Sequence, residues 1–326
     1  MIKVGLIGCG YMGTMHANCY KNIDGVEIVA LADIRRETAE KLAEGTDAVI
    51  YGDGHELIDN ADVDIIDICL PTYIHAEYAM AAMEKVKYLF VEKPVALTEE
   101  QGAQMLAKAE ETGTYVQIGQ VIRFWDEYVK LAEIVASGKM GKFVNANFRR
   151  ISPTPTWGWN DWLRKYEFSG GSAQDLHIHD MDYVLSLFGK PNSIKSVKNT
   201  LGEKNSYINS LLSYDDFVVT VEGTWGLPET HPFEATFRVV FENGVVENAG
   251  GKLMLYTDTA AEEIKIEKDE SLTGGFEGGN ISDLGGYYNE LVYFTNCAKA
   301  GAKVEKATLK DAVESLIFVR EEIRNA

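Results

Sequence analysis

Gly8-Cys9-Gly10-Tyr11-Met12-Gly13 directly follows the apolar run Val4 to Ile7 and precedes a segment of helical periodicity. No other feature restricts the fold as much. A G-x-G-x-x-G turn between a strand and a helix is the way a βαβ unit brings its backbone against a pyrophosphate. Gly8 permits the tight turn, Gly10 lets the backbone approach the phosphates, and Gly13 allows the helix to pack closely on the strand. Tyr11 and Met12 then lie in the first helical turn, where an anion meets the helix N-terminus. Asp33 closes the next predicted strand, about twenty residues on, where a carboxylate accepts hydrogen bonds from the adenosine ribose hydroxyls. That favours NAD. The same charge disfavours a 2′-phosphate, while Arg35 and Arg36 leave NADP open. Asp33 also suits capping of a helix starting near Arg36, a role compatible with the ribose contact.

The pattern around this turn predicts an α/β chain. Candidate strands at Val4 to Ile7, Glu27 to Ala32, Ala48 to Tyr51, Ile65 to Cys69, Leu89 to Val91 and Tyr115 to Ile118 alternate with helical segments. This is the signature of an N-terminal Rossmann fold with a parallel sheet, taken as residues 1–121. Thr98-Glu99-Glu100-Gln101 has the spacing of a capping box. After a helix over Asp126 to Ser137 the texture changes to strands at Phe143 to Arg150, Ile208 to Leu212, Val218 to Thr224 and Thr236 to Phe241. Tyr214-Asp215-Asp216 and Asn243-Gly244 read as hairpin turns. Residues 122–326 are therefore expected to form an α+β domain with a large, mostly antiparallel open sheet. Two amphipathic helices, Tyr287 to Ala300 and Leu309 to Ile323, end the chain, and the last is expected to pack back on the first domain. Ser172 to Phe188 reads as one helix after the Gly170-Gly171 breaker.

Composition narrows the partners. A formal charge of -19 argues against nucleic acid and anionic lipid, since attraction to phosphate backbones needs clustered Lys and Arg. No apolar run has the length of a membrane span, and no export signal precedes Val4. Cys9, Cys19, Cys69 and Cys297 are scattered without a C-x-x-C pair, which fits a reducing cytoplasm. A small molecule is the expected partner.

Glu92-Lys93-Pro94 after a hydrophobic strand, and Gly170-Gly171 followed by Asp175 and His179, complete a set of motifs in which the chain resembles the glucose-fructose oxidoreductase and inositol dehydrogenase family, Gfo/Idh/MocA. The resemblance runs over essentially the whole length. It implies that Lys93 lies beside the nicotinamide ribose and the reacting hydroxyl, with Glu92 adjacent and Pro94 fixing the turn. It also implies that Asp175 and His179 belong to the active site. An ammonium near a developing alkoxide stabilises the charge, and an imidazole suits general acid–base work near neutrality. Asp175 and His179 are four apart, on one face of the expected helix, which Asp182 also approaches while Asp180 is rotated away. His177 and His179, two apart, diverge on a helix, and no metal site is assigned. Pro71-Thr72-Tyr73-Ile74-His75 resembles the family loop that contacts the cofactor from the opposite side, giving Pro71, Thr72 and His75 as cofactor contacts; a plain helix start also accounts for the segment.

Trp157, Trp159 and Trp162 cluster in a turn-rich loop, where indoles either stack on sugar C–H faces or serve an interface or core. Arg123 falls where the family often carries an Arg, and it is taken with the three indoles as a candidate substrate contact. Val121 and Ile122 depart from the family's polar residues there, so the contacts of those groups do not transfer. The expected reaction is reversible hydride transfer between nicotinamide and a secondary alcohol or ketone of a sugar, inositol or related polyol. Alternatives are an NAD-dependent glycoside hydrolase of the same fold and a catalytically silent NAD(P)-binding regulator. Assembly as a homodimer or homotetramer through the open sheet is expected from the resemblance.

Overall fold

Short runs rich in Ile, Val and Leu give strands buried on both faces, as a parallel sheet between helix layers requires. They are β1 (Ile2–Ile7), β2 (Val26–Ala32), β3 (Val49–Tyr51), β4 (Ile65–Ile68), β5 (Tyr88–Val91) and β6 (Tyr115–Ile118). The computed structural model, which describes residues 1–201, 205–266 and 284–326, places them in the order β3-β2-β1-β4-β5-β6, with each pairing parallel. The order reverses between β1 and β4, and ligands bind in the crevice beyond the carboxyl ends of the strands at such a point. The connecting helices are α1 (Tyr11–Tyr20), α2 (Arg36–Ala43), α3 (Gly54–Asn60), α4 (His75–Met83) and α5 (Glu99–Thr112). The expected capping box starts α5, with Thr98 and Gln101 exchanging side-chain and backbone bonds.

The second half opens with α6 (Asp126–Ser137) and the long strand β7 (Phe143–Pro153). Three short helices follow: α7 (Tyr166–Ser169), α8 (Gly171–Asp175) and α9 (Ile178–Phe188). The remaining strands are β8 (Ser193–Leu201), β9 (Asn205–Ser213), β10 (Val218–Leu227), β11 (Glu234–Phe241), β12 (Gly244–Ala249), β13 (Lys252–Tyr256) and β14 (Ala261–Glu263). They form an eight-stranded sheet, β14-β13-β12-β11-β7-β10-β9-β8. It is antiparallel apart from the parallel pair β7 and β10. Along β7 the positions Ala146, Phe148, Arg150 and Ser152 are all buried, the period-two face turned to the core. Phe148 meets Tyr183 of α9 and Phe237 of β11 there. Fully burying a side chain of that kind contributes about 1.5–3 kcal/mol.

Two helices end the chain, α10 (Gly285–Ala300) and α11 (Leu309–Asn325), and both return to the first sheet. Phe294 of α10 packs edge-on against Phe90 of β5, with centroids 5.5 Å apart. Gly286 sits so close to Trp125 that a Cβ would lie 1.9 Å from its ring. Ahead of α11, Thr308 bridges to Gln117 and the Ile118 N–H donates to the Ala307 carbonyl at 2.9 Å, covering the open edge of β6. Arg320 of α11 donates to the Leu97 carbonyl at 2.9 Å.

One expectation is corrected. Ser172 to Phe188 is two helices, broken at Leu176 and His177, because the N–H groups of both residues converge on the Ser172 carbonyl at 3.0 Å. That adds a residue to the turn and resets the phase between Asp175 and His179. Among the described residues no helix is long and apolar enough to cross a membrane.

Candidate active site

Gly8 has φ +94°, and an ideal Cβ there would stand 2.5 Å from the Cys69 carbonyl oxygen, so the turn after β1 admits no side chain. A Cβ on Gly13 would stand 1.8 Å from the Gly8 oxygen. The helix therefore starts against the strand end, its first N–H groups turned to the cavity. Asp33, 7% exposed, closes β2 beside this turn. Its Oδ2 accepts from the Cys9 N–H at 2.9 Å and its Oδ1 from the Arg35 N–H at 2.8 Å. The second lone-pair direction of each oxygen is met only by a long contact from the Arg35 side chain, Nη2 to Oδ2 at 3.5 Å, which a ribose hydroxyl can replace. The Arg35 guanidinium lies beside the same carboxylate, Nε to Oδ1 at 3.4 Å. Gly8, Gly10, Tyr11, Met12, Asp33 and Arg35 all line one cavity, which continues past Pro71 to Glu92 and Lys93. These residues fit a dinucleotide, with bare backbone where phosphates approach and a carboxylate where a ribose lies.

At the far end of the cavity, the Lys93–Pro94 peptide is cis and presents Lys93 toward α8. The Lys93 ammonium donates to the Asp175 carbonyl at 3.0 Å and to Asp175 Oδ2 at 3.2 Å. Burial pushes the Asp175 carboxyl pKa up, with Lys93 pulling against it. His179, at the first turn of α9, lines the same wall. Burial, then the positive charges of Lys93 and Arg150, hold its pKa well below the ordinary imidazole value. The ring is neutral at pH 7 and Nδ1 is buried without a hydrogen-bond partner among the described residues, which leaves Nε2 to face the cavity. A neutral imidazole beside an ammonium can take the proton of a hydroxyl whose oxygen the ammonium polarises.

Residues 2–120 match the oxidoreductase family with an NAD-binding Rossmann fold, and residues 128–247 match the GFO/IDH/MocA C-terminal domain. The chain belongs to the Gfo/Idh/MocA oxidoreductase family. The myo-inositol 2-dehydrogenase of Thermotoga maritima is 33% identical over 58% of this chain and 55% of its own length. The inositol 2-dehydrogenase of Salmonella typhimurium is 30% identical over 69% and 65%, and the D-glucoside 3-dehydrogenase of Escherichia coli 29% identical over 60% and 56%. The matched segment thus spans little more than half of the first of these relatives. An Agrobacterium radiobacter oxidoreductase in complex with NAD+, L-tartaric acid and magnesium has the same fold, with a TM-score of 0.88, 17% identity and coverage of 100% of this chain and 96% of that one.

Several residues singled out in this Gfo/Idh/MocA sequence lie off the cavity wall. Arg123 holds Asp182 in a fork, Nε to Oδ2 at 2.6 Å and Nη2 to Oδ1 at 2.8 Å, and reaches Asp311 of α11 at 3.0 Å. It ties three elements together and does not line the cavity. His75 is fully buried, its ring nitrogens 2.8 Å from the Pro94 carbonyl and 2.7 Å from that of Leu70; it clamps the loop after β4 to the loop after β5. Thr72 is likewise buried at that junction. His177 turns away from His179 toward Glu322, 3.3 Å away. Asp180 pairs with Arg150 at 2.7 Å. Trp157, Trp159 and Trp162 do line the cavity.

Arg150 is a cavity-lining residue that sequence reasoning missed. It is 2% exposed, lies over Trp125 and Phe233, and faces the cavity beside His179. An Arg at a core-facing position of β7 was the available signal. A second missed group stands behind Glu92: His16 bridges Asp67 Oδ2 at 2.8 Å and Glu92 Oε1 at 3.0 Å. Burial alone would lower the His16 pKa, but Asp67 and Cys69 raise it well above the ordinary value. An imidazolium between two carboxylates fixes Glu92, whose Oε2 accepts the Lys93 N–H at 3.1 Å.

Proposed function

We propose that this protein is an NAD-dependent dehydrogenase or reductase acting on a secondary alcohol or ketone of a sugar, inositol or related polyol. Residues 1–121 carry the cofactor and residues 122–326 the substrate. The observation that supports this reading best is a single cavity with the glycine turn and Asp33 at one end and Lys93, Asp175 and His179 at the other. Bound NAD+ supplies the hydride acceptor at nicotinamide C4. Lys93, held by Asp175, polarises the reacting oxygen, and His179 accepts the hydroxyl proton at Nε2 as the C–H bond breaks and the ketone forms. The reverse direction returns that proton.

The wall facing these groups suits a neutral polyhydroxy compound. Trp125, Trp225 and Phe233 offer apolar faces, and the Arg150 charge is already matched by Asp180, so its remaining N–H groups serve hydroxyls without demanding an anion. Assembly as a homodimer or homotetramer is proposed through the outer face of the larger sheet, where Val197 and Leu211 are exposed.

Titration of the purified protein with NADH and NADPH, followed by a screen of inositols and sugars for NADH formation, tests the reading. NADH is expected to bind more tightly and a cyclic polyol or sugar to be turned over. Failure to bind either nucleotide refutes it, and binding without turnover of any alcohol refutes the enzymatic part.

A further inference from the structure

The loop between β7 and α7 leaves the larger sheet and crosses to the nucleotide end of the cavity. Trp157 lies against Tyr11, the residue that follows Gly10 in the glycine turn, with ring centroids 4.8 Å apart and planes inclined by 31°. Trp159 lies over the guanidinium of Arg35, with Cζ 5.6 Å from the ring centroid. Arg35 in turn contacts Asp33, and an ideal Cβ on Gly10 would stand 3.7 Å from its Nη2. Trp157 therefore meets the glycine motif itself, and Trp159 the arginine beside Asp33. They remain 41% and 44% exposed, unlike core tryptophans. Consecutive left-handed backbone at Asn160 and Asp161, φ 53° and 55°, turns the chain sharply back after Trp159.

We infer that Trp159 and Arg35 are the two sides of a slot for the adenine of NAD, with Trp157 closing the loop over the adjoining phosphates, so that the second domain supplies part of the cofactor site. A planar base between two flat groups needs about 3.5 Å on each side, or about 7 Å in all. The 5.6 Å separation is short of that by about 1.4 Å, a movement within reach of an exposed loop side chain and a flexible Arg. A base held between an indole and a guanidinium gains stacking on one face and cation–π attraction on the other. The inference rests on the NAD reading above, and it assigns these two indoles to the cofactor in place of the sugar.

Calorimetric titration of the full chain with ADP-ribose and with NADH tests it, using wild type, Trp159→Ala and Trp159→Phe. Loss of a base–aromatic stack is worth about tenfold in Kd. Trp159→Ala should weaken both ligands by that factor, and Trp159→Phe should recover most of it. At saturating NAD+ the KM of any polyol substrate should not change. Affinities for ADP-ribose and NADH that stay at the wild-type value in Trp159→Ala overturn the inference, as does a raised polyol KM with intact nucleotide binding. If the wild-type protein itself binds neither ligand, the functional reading has failed and the slot falls with it. Equal thermal midpoints for the three proteins establish that the Kd changes are local.

Discussion

Replacing Arg123 by methionine removes the cation that holds α9 and α11 against the end of the first sheet. Asp182 is fully buried. Its carboxylate receives two Arg123 N–H groups at 2.6 and 2.8 Å and the Ser315 hydroxyl at 2.9 Å. The hydroxyl remains in the variant, but the charge loses its partner, and breaking a buried ion pair from one side costs about 3–5 kcal/mol. For a chain of 326 residues the unfolding entropy is about 0.7 kcal/mol/K, so the thermal midpoint should fall by about 4–7 °C. The size of the loss should depend on pH. Burial already raises the Asp182 carboxyl pKa against the pull of Arg123, and without that pull it rises further. A carboxyl whose folded pKa exceeds its unfolded value binds more protons folded than unfolded, so stability is lost as pH rises between the two. The deficit of Arg123→Met relative to wild type should thus be larger at pH 8 than at pH 5.5, as read by calorimetry or circular dichroism. Arg123→Met/Asp182→Leu, with neither charge left, should recover more than half of it. An unchanged midpoint in the single variant, together with a raised KM for a polyol, would refute the structural assignment and return Arg123 to the substrate.

The polyol-oxidation rate should hold steady as pH falls through 6.5, because burial, Lys93 and Arg150 keep His179 neutral there; its acid limb should lie well below that value. His179→Gln should lower kcat by about 10²–10⁴-fold with NADH affinity retained and that limb gone, and a pH–rate profile identical to wild type would sink the proton role. In Gly13→Ala the added methyl would meet the Gly8 carbonyl at 1.8 Å, so α1 must shift from β1. Loss of NADH binding in fluorescence titration, with a lowered thermal midpoint, is the expected outcome, and wild-type binding would contradict the packing.

Much of the first half was legible because its signals are local. The glycine turn, the Asp33 spacing and the six β-branched runs each state their role within a few residues, and Thr98 with Gln101 caps α5 as the spacing requires. The site residues were less uniform. Lys93, Asp175 and His179 converge although α8 and α9 are separate helices, because the widened turn at Leu176 and His177 still delivers both side chains to one wall; periodicity cannot register that extra residue. Arg123 was misplaced because its partners lie 59 and 188 positions away, a pairing with no local trace. The burial of Asp67 among Ile65, Ile66 and Ile68 was a visible anomaly whose explanation, His16, lay 51 residues earlier in the chain. Strand β8, Ser-Ile-Lys-Ser-Val-Lys-Asn-Thr-Leu, escaped notice because Val197 is exposed while Ser196 and Lys198 are half-buried, so its residues show no apolar alternation.

The return of α10 and α11 to the first sheet bears on how the chain is made. Phe90 lacks the ring of Phe294, and the β6 edge lacks Thr308, until those later residues have left the ribosome. A nascent chain carrying only the glycine turn and its six strands has an uncovered apolar flank and an unpaired strand margin. The boundary proposed near residue 121 therefore does not follow the order of assembly. A fragment cut there should precipitate, and nucleotide binding should emerge only once α10 and α11 have been made.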